Sequence, residues 1–394
     1  MNKFKQSAPV IRTTKLFREF FESERSGGLL LIACTLISLL LANSSLGSAY
    51  IHFWEHDLGG TPISHWINDA LMAVFFLLVG LELEREVYIG ELSNIRNASL
   101  PIAAALGGML VPAAIHLGFN YGLPTSSGAG VPMATDIAFA IGVLSLLGNK
   151  VPLGLKVFLT ALAVIDDLGA ILVIALFYSS GVDWLNLGIS LGIFGFLILL
   201  NRLRVMRMWP YLIAGVFMWY FMHHSGIHAT ISGVLLAFAM PFGDGKKNST
   251  SYQLQHALHQ PVAFVILPLF ALANTAVVFE SGWEQEIVSL NSLGIALGLL
   301  LGKPIGVVLF SILAVRFRIS QLPQGITFKH IGGVAILAGI GFTMSIFIIM
   351  LAYTDPGLIA SSKLAVLFAS FTAGGLGYFV LNILLQKRSG KRKA

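Results

Sequence analysis

Two adjacent aspartates, Asp166 and Asp167, stand in an otherwise uncharged run from Val157 to Tyr178. Comparably apolar stretches hold Asp69, Asp136 and one lysine, Lys303, within LGLLLGKPIGVVLF. Carboxylates in such surroundings can bind a hard cation through oxygen, or take up and release a proton. Neighbouring positions on a helix point about 100° apart. Asp166 and Asp167 therefore divide the work: one faces a water-filled cavity and binds a cation, and the other pairs across a helix interface with Lys303. Thr135 or backbone carbonyls would complete a set of oxygens able to replace the hydration shell of Na⁺. The bland alternative is a buried ion-paired scaffold that holds helices in register without moving anything. A single pair would suffice for that, and the cluster is larger.

The elements that must position these groups are membrane spans. Of the 394 residues, 56% are hydrophobic and 11% are charged, and the mean hydropathy is +0.81. A soluble domain carries about 25% charged residues. Apolar stretches long enough to cross roughly 30 Å of hydrocarbon recur from residue 27 to residue 385. The pattern predicts an all-α integral membrane protein with twelve transmembrane helices in a single domain over 27–385. A cytoplasmic N-terminal segment, 1–26, precedes it, and a basic cytoplasmic tail, 386–394, follows. A charge at the centre of a bilayer costs about 2.5–3.5 kcal/mol on insertion scales, so the five intramembrane charged residues should face one another or water.

The formal net charge is +6, but its distribution argues against nucleic acid as a partner. With alternate loops assigned to alternate sides, every Lys and Arg except Lys303 and Lys363 falls on one side. The other side carries Glu55, Asp57, Asp183, Glu280, Glu284, Glu286 and Asp355. This is the positive-inside pattern for a protein with both termini in the cytoplasm. Residues 1–26 carry no cleavage pattern and read as a short amphipathic surface helix. Cys34 is the lone cysteine, which excludes a disulfide framework and a cysteine metal site.

Other function classes fit less well. HALH and HHSGIH invite a histidine-box metal reading, but an iron desaturase needs several boxes and the other histidines are scattered. No Gly-x-Gly-Asp motif marks an aspartyl protease, and no enzymatic activity or cofactor is expected. An organic-anion carrier would want an arginine in a span core, and none occurs there. No GxxxxGK[ST] loop couples the chain to ATP.

Two spans are interrupted in a similar way, SSGAGVPMATDIAFAIG (126–142) and GGVAILAGIGFTMSIF (332–347), each Gly-rich around a threonine. Glycine also serves simple close packing of membrane helices. With WINDALMAVFFLLVGLELERE (66–86), ATDIAFAIGVLSLLG (134–148), IDDLGA (165–170), SGIHATISGV (225–234), GKPIG (302–306) and GIGFTMSIFI (339–348), these segments carry a family match. The chain resembles the NhaA family of bacterial sodium/proton antiporters over nearly its whole length. Paired interruptions are a mark of inverted-repeat transporters, and NhaA antiporters are themselves among the proteins that illustrate the rule, so pattern and resemblance are here one argument.

The resemblance implies inverted repeats, with the fourth and eleventh spans broken and crossing near the midplane. It implies export of Na⁺, and of Li⁺, in exchange for H⁺ by alternating access, pH-regulated and electrogenic, from the bacterial inner membrane. It makes Asp167 the principal cation and proton carboxylate, Asp166 its partner and Lys303 the residue paired with Asp166. Asp136 would offset the positive ends of the facing half-helices and Lys303 the negative ends. Thr135 would be a ligand or a helix-break residue. Candidates for pH response or cation access are Glu82 and Glu86 at the inner end of the second span, His256 and His259 before the ninth, and His228. Glu82 and Glu86 share a face at a helix C-terminus, where the dipole disfavours anions; a solvated charged end beside Arg85 is the plainer reading. His256 and His259 also read as solvated loop residues, and His228 as a helix-start residue. LQHALH carries Gln255 where relatives have a glutamate. Asp69 reads either as a pathway residue or as a solvated helix start. A homodimer is implied by the resemblance alone, since 44–65 shows no two-strand alternation.

Overall fold

The computed structural model describes residues 15–178, 181–279, 283–323 and 325–391. The predicted terminal segments fall partly outside these, at 1–14 and 392–394, as does Glu280. Among the described residues the chain is all-helical, with one isolated backbone bridge between Asp57 and Pro62. In chain order the helices are α1 (Lys15–Ala42), α2 (Gly47–Glu55), α3 (Ile63–Tyr88), α4 (Ile95–Asn120), the 3₁₀ helix α5 (Pro124–Met133), α6 (Ile137–Ser145), α7 (Leu153–Phe177) and α8 (Trp184–Arg202). They continue with α9 (Met208–His223), α10 (Ile231–Ala239), α11 (Thr250–Asn274), α12 (Trp283–Ile287), α13 (Leu290–Arg316), α14 (Phe328–Ala338), α15 (Phe342–Ala352) and α16 (Pro356–Lys391).

Seven of these, α3, α4, α7, α8, α11, α13 and α16, are long and apolar enough to span a membrane, and bent pairs raise the number to 10. The pairs are α1 with α2, bent by 114°, α5 with α6, by 41°, and α14 with α15, by 48°. Helices α9 and α10 occupy the seventh and eighth sequence-predicted spans but are only 16 and 9 residues long. One expectation changes. Residues 15–26 form no separate surface helix but run without a break into α1, because no proline or turn residue stops the helix before Gly27. Within the polar 44–65 segment, Gly47–Glu55 is helical.

Bilayer-embedded helices gain little from apolar burial against each other, so close packing of small residues has to hold them. Gly298 and Gly302 show the principle. A Cβ on Gly298 would stand 2.7 Å from Pro132 Cβ, and one on Gly302 would stand 2.8 Å from Pro112 Cα. The absent side chains let α13 lie directly on α4 and α5, which fixes where Lys303 emerges. Helix α3 joins two apolar clusters: Phe75 and Phe76 pack into the main core with Phe270 and Phe347, while Leu77 and Leu81 pack with Tyr211, Met218 and Leu236 of α9 and α10.

Candidate functional site

The site begins where two helices stop. Pro132, within the glycine-containing α5, and the extended Ala134 and Asp136 end one helix and start the next. Gly339, Ile340 and Gly341 do the same between α14 and α15. Each break strands backbone N–H and C=O groups, and since the residues around both breaks are buried, other protein groups have to meet them. The two breaks satisfy each other. Asp136 N–H donates to Ile340 O at 2.7 Å, and Ser345 Oγ donates to Val131 O at 2.6 Å.

Asp136 serves two helix N-termini at once. Its Oδ1 accepts from Phe139 N at 2.9 Å, capping α6, and its Oδ2 accepts from Thr343 N at 3.0 Å and Thr343 Oγ1 at 2.6 Å, at the start of α15. A carboxylate suits this place because the amide ends of two helix dipoles converge there. The carbonyl ends receive donors instead. Lys303 Nζ donates to Met133 O at the end of α5, and Thr135 Oγ1 lies 2.9 Å from Ala338 O at the end of α14.

Lys303 is wholly buried, and its Nζ lies 2.6 Å from Asp166 Oδ2, also wholly buried. Thr135 Oγ1 stands 2.9 Å from the same oxygen. Its single proton serves either Asp166 or Ala338, not both. The adjacent Asp167 points elsewhere on α7, as helical spacing requires. Its exposure is 2%, and its Oδ1, like Asp166 Oδ1, is buried with no hydrogen-bond partner among the described residues. A buried polar atom left unpaired is costly. Two such carboxylate oxygens on consecutive residues, beside a fixed ammonium, form a centre chemically suited to a hard cation or a proton.

The remaining sequence-predicted residues are not gathered here. Glu82 lies 3.4 Å from His259 Nε2, and both side chains are largely buried, which ties α3 to α11. His256, three residues earlier, is exposed and stacks on Tyr252. Glu86 and His228 are half-buried, while Gln255 is buried on α11. Asp69 pairs with His65 and His223.

Sequence reasoning missed several polar residues. Glu84 is buried and accepts from Ser251 Oγ at 3.2 Å; its place between Glu82 and Glu86 was the available signal. Thr343 entered the sequence reading only as the threonine of the second interrupted span, not as a partner of Asp136. A buried network joins His116 to Asn291 Oδ1 at 3.1 Å, Tyr353 OH to the same oxygen at 2.7 Å, and Asn291 Nδ2 to Ser362 Oγ at 2.7 Å. Nothing in the spacing of those residues announces it.

The model of the Na⁺/H⁺ antiporter 1 family matches residues 18–381. The chain belongs to this family. A family member named Na(+)/H(+) antiporter NhaA from Flavobacterium psychrophilum is 61% identical over 376 residues, which cover 95% of this chain and 98% of the relative. Relatives with the same name from Dechloromonas aromatica and Vibrio campbellii are 57% and 47% identical, each over 95% of this chain and 97% of the relative. Among solved structures, the sodium proton antiporter MjNhaP1 of Methanocaldococcus jannaschii shares the fold at a TM-score of 0.56 and 14% identity, over 94% of this chain and 97% of that one.

Proposed function

We propose that this chain exchanges Na⁺, and also Li⁺, for H⁺ across the bacterial inner membrane by alternating access. Family membership supports the sodium/proton exchange. The observation that carries the site assignment is Asp167, a buried carboxylate with an unpartnered oxygen next to a two-helix crossing whose backbone ends are otherwise met. Na⁺ and H⁺ compete for Asp167, with Asp166 as the second carboxylate. Lys303 holds Asp166 and the carbonyl end of α5, while Asp136 and Thr135 hold the ends of the broken helices beside the carboxylates.

Charge counting bears on electrogenicity. Asp166, Asp167 and Lys303, all ionised, sum to one negative charge, so one Na⁺ or one proton neutralises them equally. Exchange of one for one would move no net charge. Electrogenic exchange therefore needs a second proton per Na⁺, taken up at the Asp166–Lys303 pair. The Glu82–His259 contact between α3 and α11 is assigned to pH response, with Glu86, His256 and His228 as further candidates. Ten spans, counting each bent pair as one, together with α9 and α10 support a twelve-span topology, and the one-sided Lys and Arg support cytoplasmic termini.

Purified protein in proteoliposomes with an internal pH dye tests the reading. Na⁺ and Li⁺ pulses should shift internal pH without ATP, and an imposed membrane potential should change the rate. Exchange that required ATP, or a pH signal indifferent to Na⁺ and Li⁺, would sink it.

A further inference from the structure

At the start of α3, His65 and Asp69 stand four residues apart, and His223 closes on them from the last turn of α9, 154 residues further along the chain than Asp69 (223 − 69). His65 Nε2 lies 3.3 Å and His223 Nδ1 2.9 Å from the same oxygen, Asp69 Oδ2. All three candidate ligand atoms fall within 4.8 Å of one another. We propose that His65, Asp69 and His223 form a binding site for a divalent transition-metal ion of the Zn²⁺ type, separate from the exchange site.

The donor set, two imidazoles and one carboxylate with a position left for water, is one that such ions favour and Na⁺ does not. With metal–ligand bonds of about 2.0–2.2 Å, tetrahedral ligand edges are about 3.3 Å. The two nitrogen–oxygen separations, 3.3 and 2.9 Å, lie at or a little below that value, and the two ring nitrogens stand no more than 4.8 Å apart, so all three side chains can turn toward one ion. The site is reachable: the side chains of His65, His223 and Asp69 are 46%, 33% and 16% exposed. It is also held in place. His223 stacks on Trp219 at 5.8 Å and 20°, and Trp219 in turn meets Trp66, beside His65, at 6.3 Å. Asp69 sits in a π-turn over Ile67–Leu71, a local widening of the helix that recurs at functional sites.

A bound ion would clamp α3 to α9 at the end of α3 opposite Glu82 and Glu84. In the sidedness read from the basic loops, that end faces away from the cytoplasm, where metal ions outside the inner membrane reach it. The competing account is that both rings merely donate hydrogen bonds to Asp69, which the distances also allow.

Titration separates the two. Untagged full-length protein, stripped with a chelator, should bind one equivalent of Zn²⁺ in the micromolar range by calorimetry. Cu²⁺ should quench the fluorescence of Trp66 and Trp219, and Zn²⁺ should relieve the quenching. His65→Ala or His223→Ala should each weaken binding by about tenfold or more, the scale on which metal sites lose affinity when their ligand shell is disturbed. His52→Ala, an exposed histidine on α2, should change nothing. Sodium/proton exchange without added metal should survive in both alanine variants. As a check that needs no variant, Zn²⁺ should protect His65 and His223 of the native chain from acylation, read by mass spectrometry. A wild-type dissociation constant no tighter than about 1 mM, undiminished binding in the double alanine variant, or no protection of the two histidines would each overturn the proposal.

Discussion

Helices α7 and α8 follow one another in the chain, and both are long and apolar enough to cross a membrane. Yet 72% of the most apolar stretch of α7 is buried within the protein, against 11% for α8. Their polar residues differ accordingly. Helix α7 carries Asp166 and Asp167 into the core, while α8 has Asp183 at its solvent end and turns Leu185, Leu191 and Leu199 outward. Apolarity alone thus identifies a span without saying whether protein or lipid surrounds it. Charge inside a span is the better guide, because an ionised group in lipid is prohibitive and must find protein or water.

The comparison breaks first at Asp167. Asn keeps the shape of Asp but can neither carry the charge nor exchange the proton. Asp167→Asn should abolish Na⁺-driven pH change in proteoliposomes while the protein still folds, and Asp166→Asn should be severely defective. Near wild-type exchange by a well-expressed Asp167→Asn protein would remove the principal site assignment.

Stability gives the next largest contrast. Lys303→Ala strands Asp166 in the interior without its ammonium, and breaking a buried pair costs about 3–5 kcal/mol. Its thermal midpoint should fall well below that of Asp167→Asn, which removes no bond seen in the structure. Equal midpoints for the two variants would argue that the pair is not charged in the folded protein.

Competition sharpens the functional half of the contrast. If Na⁺ displaces one proton from the α7 carboxylates, the apparent Na⁺ dissociation constant should rise about tenfold per pH unit below the relevant pKa and level off above it. Two displaced protons make the slope steeper. Assays from acid to alkaline pH at low and saturating Na⁺ would show whether high Na⁺ rescues activity in acid. A constant affinity with a collapsing maximal rate would place pH control wholly at the Glu82–His259 contact and its neighbours and not in competition at the α7 carboxylates.

The smallest effect belongs to α8. Asp183 accepts from Leu185 N at 2.9 Å and Asn186 N at 3.3 Å, and the Asn186 and Leu185 amides hold its carboxyl below the usual carboxylate range. A carboxylate with a lowered folded pKa contributes stability above its unfolded pKa, and that contribution fades as pH falls through the folded value. Asp183→Ala should therefore lower the thermal midpoint slightly at neutral pH, not at strongly acidic pH, and leave exchange intact. Lost exchange in this variant would give α8 a part in transport that its exposed surface does not suggest.

Much of the site was legible as types and spacings. Isolated charges in apolar runs marked Asp136, Asp166, Asp167 and Lys303, and the glycine-flanked threonines marked two interrupted spans. Membrane thickness and the cost of an unpaired charge act on any chain, so composition and pattern were enough to establish a helical membrane protein with a polar interior. An aspartate facing Lys303 was foreseeable from the charges alone, but most other partner choices lay beyond their reach. That Asp136 caps both α6 and α15, that Glu84 rather than Glu86 is buried against Ser251, and that His223 meets Asp69 all depend on how helices distant in sequence cross. Those crossings are set by backbone contacts at small residues such as Gly298 and Gly302, which tolerate close approach without encoding which neighbour will approach. One-dimensional spacing selects a helix face, and only the packed structure decides what that face meets.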